Sequence, residues 1–347
     1  MEMSFRWYGS DDPVTLDHIK QIPGMKGIVS AIYDLPVGEV WPYEKIINLK
    51  QSIEAKGLRL NVIESVPVHE DIKLGRDTRD HWIENYKKTL INLAKAEIRT
   101  VCYNFMPVFD WTRSELQASL PDGSNSLLYN EEKVVNIDPI SGELELPGWD
   151  LSYQTSDLRQ IIEEYQKVSE EQLMENLIYF LERVIPAAEA EDVLMAIHPD
   201  DPPWGIFGLP RIMTSKENIV YMLKQVDSRH NGITFCTGSY GANPDNNLLE
   251  MLEAAEGRIH FVHARNVKWL GERSFQETSH LASDGSINLP VILRKLSQLG
   301  FEGPIRPDHG RMIWGEEGRP GYGLYDRALG AAYINGIIDL LHVQKED

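Results

Sequence analysis

The sequence predicts a (β/α)₈ barrel, an α/β fold of eight parallel strands alternating with helices, spanning all 347 residues as one domain with an insertion at 106–168. Three observations point there. Apolar periodicity switches between strand-like and helix-like from end to end. Four successive apolar runs in the second half each finish on a polar side chain, as strands presenting residues at one rim would. The first strand is not followed by a glycine-rich turn, which disfavours the alternative, a doubly wound open sheet.

Taken in order, MSFRWYG (3–9) reads as the first strand, and a helix begins near Asp12-Pro13. GIVSAIYD (27–34) is the second strand, and PYEKIINLKQSIEAKG (42–57) has helical apolar spacing ending at Gly57. RLNVIES (59–65) is the third strand, residues 78–97 form an amphipathic helix, and IRTVCYNF (98–105) is the fourth strand. Residues 106–168 then carry turn punctuation at Pro107, Asp122-Gly123, Pro139, Ser141-Gly142 and Pro147-Gly148. This reads as an insertion after the fourth strand with a hairpin around 134–146. Its aromatics, Phe109, Trp111, Tyr129, Trp149 and Tyr153, favour an ordered lid or subunit contact, and hence a homodimer, over disorder.

The rhythm resumes with a helix at 169–190 and the fifth strand, VLMAIHPD (193–200), followed by a loop rich in proline and tryptophan (201–212). A helix near 215–228 leads to GITFCTGS (232–239), one at 245–255 to RIHFVHARN (258–266), and one at 289–299 to GPIRPDHG (303–310). Residues 325–343 supply a closing helix.

Composition narrows the function. The 34 basic and 53 acidic side chains leave −19, which argues against nucleic acid as a partner. No apolar run is long enough for a membrane span, and MEMSFRWYGSDD lacks the features of a secretory leader, so a cytoplasmic location is expected. Two cysteines, Cys102 and Cys236, make no disulfide framework and leave either thiol free to bind metal.

The polar ends of the last four strands are His198, Cys236, His263 and Asp308, with His309 beside the last. Any one of them alone reads as an ordinary surface or core residue; four at equivalent places on consecutive strands point to a shared cation. Two imidazoles, a thiolate and a carboxylate make magnesium and calcium poor candidates and leave zinc, ferrous iron, manganese and cobalt open. Four protein ligands close a tetrahedral zinc site, so a catalytic role favours iron or manganese. Arg265, Asn266, Arg306 and Arg311 surround these positions and suit an anionic, hydroxyl-rich substrate. His309 is placed for acid–base work, and Tyr322, in the glycine-rich GRPGYG (318–323), is placed to bring a phenol over the mouth. Asn104 and His69, near the ends of the fourth and third strands, are weaker candidates, and the aromatic RWYG (6–9) lines either the pocket or the core.

The motifs RWYG, CYNFMPVFDWTR (102–113), AIHPDDPP (196–203), TFCTGS (234–239), FVHARNV (261–267), RPDHGRM (306–312) and RPGYG (319–323) together resemble the mannonate dehydratase family over nearly the whole chain. The resemblance implies conversion of D-mannonate, a small sugar acid, to 2-keto-3-deoxy-D-gluconate in hexuronate catabolism, with Mn²⁺ or Fe²⁺. It implies His198, Cys236, His263 and Asp308 as ligands, and His309 and Tyr322 as the proton-transfer pair, with Tyr325 a competing phenol. Two other classes are weighed against it. A metal-dependent sugar isomerase or epimerase would use more carboxylates and no thiolate, and a sugar-acid sensor would bind without turnover.

Overall fold

The computed structural model describes residues 1–139 and 155–346. Eight parallel strands close into a barrel: β1 (Glu2–Arg6), β2 (Gly27–Ser30), β3 (Arg59–Glu64), β4 (Thr100–Tyr103), then β7 (Leu194–Ile197), β8 (Asn231–Cys236), β9 (Ile259–Ala264) and β12 (Pro304–Pro307). The last strand pairs with the first through Glu2–Pro304 and Met3–Ile305, which closes the ring. Between them lie β5 (Glu115–Ser119), β6 (Asn125–Tyr129), β10 (Val267–Gly271) and β11 (Ser274–Glu277), which form a separate antiparallel sheet in the order β10-β11-β6-β5.

The expected helices stand close to their predicted ranges: Tyr43–Glu54, Arg79–Lys95, Glu170–Ala190, Lys216–Gln225, Leu248–Ala254, Leu289–Gln298 and Tyr325–Glu346. Local chemistry sets their starts. Ser169, Ser215, Asn247 and Asn288 each accept a backbone N–H of the first turn through the side chain. The helix expected near Asp12-Pro13 is a single turn, Leu16–Ile19, because the capping oxygen comes only at Thr15.

Several strands end sooner than predicted. The run 232–239 becomes a strand only to Cys236, which then caps the short helix Thr237–Gly241 by accepting from the Ser239 N–H through Sγ. The insertion also differs. Its hairpin is β5–β6, earlier in the chain than 134–146; Glu131–Val134 is a helical turn, and 140–146 lie outside the described residues, as do Trp149 and Tyr153. The β10–β11 hairpin is unanticipated. Its alternation is short, and the tertiary partner that stabilises it, β6, lies far upstream.

Side chains alternate in and out along each strand. Val29, Val62, Cys102, Ala196 and Phe261 make a small apolar cluster of their own, separate from the main core. Glu64, Asn104, His198 and His263 stand two residues beyond four of these positions, on the same face and nearer the carboxyl end. The pleat therefore places a dry plug beneath a polar floor.

Candidate active site

A cavity of about 180 Å³ opens at the carboxyl ends of the strands. Its lining includes Arg6 from β1, Glu64 from β3, Asn104, His198, Asp308, His309 and Tyr322. The insertion contributes Asp110 and Trp111, and the Trp111 ring lies 4.6 Å from that of His309.

Ligand atoms of His198, Cys236 and His263 lie within 4.8 Å of one another. Asp308 Oδ2 stands 3.7 Å from Cys236 Sγ and 3.9 Å from His263 Nδ1. The register brings them together: Cys236 pairs with His263 across β8 and β9, and His263 with Arg306 across β9 and β12. The outer nitrogens each lie near an oxygen. His198 Nδ1 is 2.7 Å from the Pro199 carbonyl, and His263 Nε2 is 3.3 Å from Glu64 Oε2. The inner nitrogens, His198 Nε2 and His263 Nδ1, stand 3.1 Å apart. Two imidazoles and a thiol gathered at this distance, with a carboxylate beside them, make a donor set that suits a borderline divalent ion.

Buried charge surrounds this cluster. Glu64 accepts two hydrogen bonds from Arg306, at 3.1 and 2.9 Å, and Arg306 Nη1 is 2.7 Å from Asp308 Oδ1. Burial alone would raise both carboxyls. Arg306 with His263 and Arg6 holds Glu64 well below the ordinary range, and Arg306 with His309, His263 and Arg265 does the same for Asp308. A second network joins Arg113 to Asp201 and Glu277, and Arg265 to Asp201 at 2.7 Å. There too the guanidiniums outweigh burial, and Glu277 is brought down to about 2 by Arg265, His309 and Arg113.

His309 connects the two networks. Its Nε2 is 2.8 Å from the Tyr322 hydroxyl, and its Nδ1 is 2.9 Å from Glu277 Oε1 and 3.0 Å from Arg265 Nη1. Burial, with Tyr8 and Asp308 adding to it, pushes the Tyr322 phenol well above its usual value. Tyr325 is 42% exposed and packs at a tilt against Trp314, so of the two phenols only Tyr322 reaches the cavity.

Not every expected residue arrives. Asn266 is fully buried behind the cavity; it donates to the Leu281 carbonyl and accepts from the Ile287 N–H, so its amide holds a loop instead of facing a substrate. Arg311 is taken up by Asp326 and Asp122 and does not line the cavity. His69 caps the helical turn Glu70–Lys73 and stacks on Trp82 at 4.0 Å. Arg265, Arg306 and Asn104 do line it; Asn104 donates to Asp110 at 2.9 Å. Sequence reasoning passed over Glu64, Asp201, Arg113 and Glu277, and weighed Arg6 only as part of the aromatic RWYG, whose Arg6 and Tyr8 do line the cavity. The strand-end rule would have found Arg6 and Glu64, which terminate β1 and β3 as Cys236 terminates β8.

Comparison with known proteins follows the same line. The family model for D-mannonate dehydratase (UxuA) matches residues 1–347. The chain belongs to the D-mannonate dehydratase family. It is 60% identical to mannonate dehydratase 2 of Halalkalibacterium halodurans over 97% of this chain and 98% of that one. It is 56% identical to mannonate dehydratase of Thermotoga maritima, covering 100% and 99%. The crystal structure of mannonate dehydratase from Streptococcus suis serotype 2 superposes with a TM-score of 0.93 at 51% identity, covering 99% of this chain and 96% of that one. D-psicose 3-epimerase from Clostridium cellulolyticum H10 shares the barrel at a TM-score of 0.58 and 13% identity, covering 99% of both chains, a likeness of fold alone. Membership in the family bears out the expected hydro-lyase over an isomerase or epimerase. No helix among the described residues is long and apolar enough to cross a membrane.

Proposed function

We propose that this chain dehydrates D-mannonate to 2-keto-3-deoxy-D-gluconate, using His309 and Tyr322 as its proton-transfer pair. The observation that carries the reading is their 2.8 Å contact inside the cavity that is also lined by Asp308 and by His198, a member of the His198, Cys236 and His263 cluster. The reaction takes a proton from the carbon beside the carboxylate and expels the neighbouring hydroxyl as water. One member of the pair accepts the carbon proton and the other protonates the departing hydroxyl. Because they touch, a proton passes directly between them afterwards and restores the resting state. Positioned acid–base groups of this kind contribute about 10²–10⁴-fold.

His198, Cys236, His263 and Asp308 would hold Mn²⁺ or Fe²⁺, ions that accept more than four ligands and leave room for substrate oxygens. When bound, the ion supplies Lewis-acid polarisation of those oxygens. The chain's own residues do the rest. Glu277 behind His309 meets its Nδ1 at 2.9 Å and orients the ring so that Nε2 faces Tyr322. Arg265 and Arg306 fix Asp308 at 3.3 and 2.7 Å. Trp111 packs against the His309 ring at 4.6 Å. The two buried free thiols suit a reducing compartment, which supports a cytoplasmic location.

The test is incubation of the purified protein with D-mannonate and Mn²⁺ or Fe²⁺. Appearance of a 2-keto-3-deoxy acid, read by semicarbazide absorbance, is expected. A product that keeps every hydroxyl would sink the reading in favour of epimerisation.

A further inference from the structure

We propose that Arg6 grips the carboxylate of the substrate, held in place by Tyr8, on whose ring both Arg6 and Arg319 pack. The assignment rests on the sugar-acid reading above and deepens it.

Three cavity-lining guanidiniums come from barrel strands or their carboxyl ends: Arg6, Arg265 and Arg306. Two are committed to protein partners. Arg306 is spent on Glu64 and Asp308, and Arg265 on Asp201, Ser239 and His309. The one Arg265 nitrogen without a partner, Nε, packs against Gly238, where an added Cβ would lie 1.9 Å away.

Arg6 differs. It is 7% exposed, yet its Nε and Nη1 have no hydrogen-bond partner among the described residues. Glu64 Oε2 is 3.5 Å from Nη1, and that carboxylate already receives both of the Arg306 bonds. Buried charged donors without acceptors are costly, so a side chain left this way in a cavity points to an anion that completes it. A planar guanidinium fork matches a carboxylate.

Location adds a second argument. The guanidinium carbon of Arg6 lies 4.9 Å from the centre of the Tyr8 ring, and that ring meets Tyr322 edge-on at 5.0 Å. Arg319 stacks on the same ring at 4.1 Å, and Arg327 donates to the Arg6 carbonyl. Arg6 therefore stands one ring from the proton-transfer pair. The carboxylate of a 2-hydroxy acid adjoins the carbon that loses its proton, and negative charge builds on its oxygens as the proton leaves. An Arg6 contact made there strengthens in the transition state, so it acts on kcat as well as KM.

The experiment compares wild type, Arg6→Gln and Arg6→Lys on D-mannonate with Mn²⁺, with metal content and thermal melting measured on each. We expect kcat/KM of Arg6→Gln to fall by about 100- to 1000-fold with metal content unchanged, and added guanidinium ion to restore part of it. Arg6→Lys keeps the charge without the fork and is expected to lose about tenfold or more; it carries the test should Arg6→Gln not fold. Either folded variant within threefold of wild type overturns the assignment. If wild type itself yields no 2-keto-3-deoxy acid, the functional reading fails separately, and calorimetric binding then decides on Arg6. Weaker D-mannonate binding in the variant, with D-mannitol binding unmoved, sustains the assignment, and equal D-mannonate binding overturns it.

Discussion

The carboxyl rim of the barrel and the antiparallel sheet beside it serve the same site by different routes, the rim by lining the cavity and the sheet by backing His309. From β7, β8, β9 and β12 come His198, Cys236, His263 and Asp308, each within one residue of the end of its own strand. The sheet supplies Glu277 at the end of β11, and Arg113 reaches it from the insertion, 164 residues away in sequence. Rim residues are placed by strand register, which a barrel imposes on every stave alike. The Arg113–Glu277 pair is placed by a long-range contact that exists only once two distant segments dock. The difference separates residues that hold the chemistry from residues that aim it.

Several substitutions break or sharpen that contrast. At the rim, Cys236→Ala should remove bound metal and lower turnover on the order of 10⁴-fold or more, by elemental analysis and assay. His309→Asn should keep the metal and lose about 10²–10⁴-fold in kcat; near-normal turnover would take His309 out of the reaction. A measurement apart from both regions uses His260, on the same strand as His263 but packed against Gly232. Burial lowers its pKa to about 4 from 6.5, so its folded form resists protonation. The unfolded chain binds the proton first, so stability is full above pH 6.5 and is lost as pH falls toward 4, by up to about 3 kcal/mol. Replacing His260 by Gln should flatten that part of the melting profile.

For the sheet, Glu277→Gln should lower kcat by about 10- to 100-fold with metal content intact, since it weakens the hold on His309 without touching a ligand. An unchanged kcat would reduce the sheet to scaffolding. Asp122→Ala, which cuts an exposed tie from the insertion to Arg311, should change stability by no more than about 1 kcal/mol and turnover by about twofold at most.

Legibility follows the same division. Histidine and cysteine at a strand end stand out against apolar neighbours, so His198, Cys236 and His263 could be read directly. Glu64 and Arg6 occupy equivalent places but resemble ordinary surface polarity until the ring closes and buries them. Asn266 and Arg311 show the converse. Each sits one or two residues from a functional side chain, yet the chain's course hands the first to the Leu281 loop and the second to Asp326.

Strand and helix periodicity, carried by local residue order, determined the barrel, its eight staves and the side chains at its catalytic end. Docking of the insertion onto β11 decided what stands behind His309, and closure of β12 onto β1 set Arg306 on Glu64 and left two Arg6 nitrogens without a hydrogen-bond partner among the described residues. The reason is physical: side-chain alternation depends on neighbours one or two residues away, whereas ion pairing in a buried site depends on which remote charges arrive and which are already satisfied.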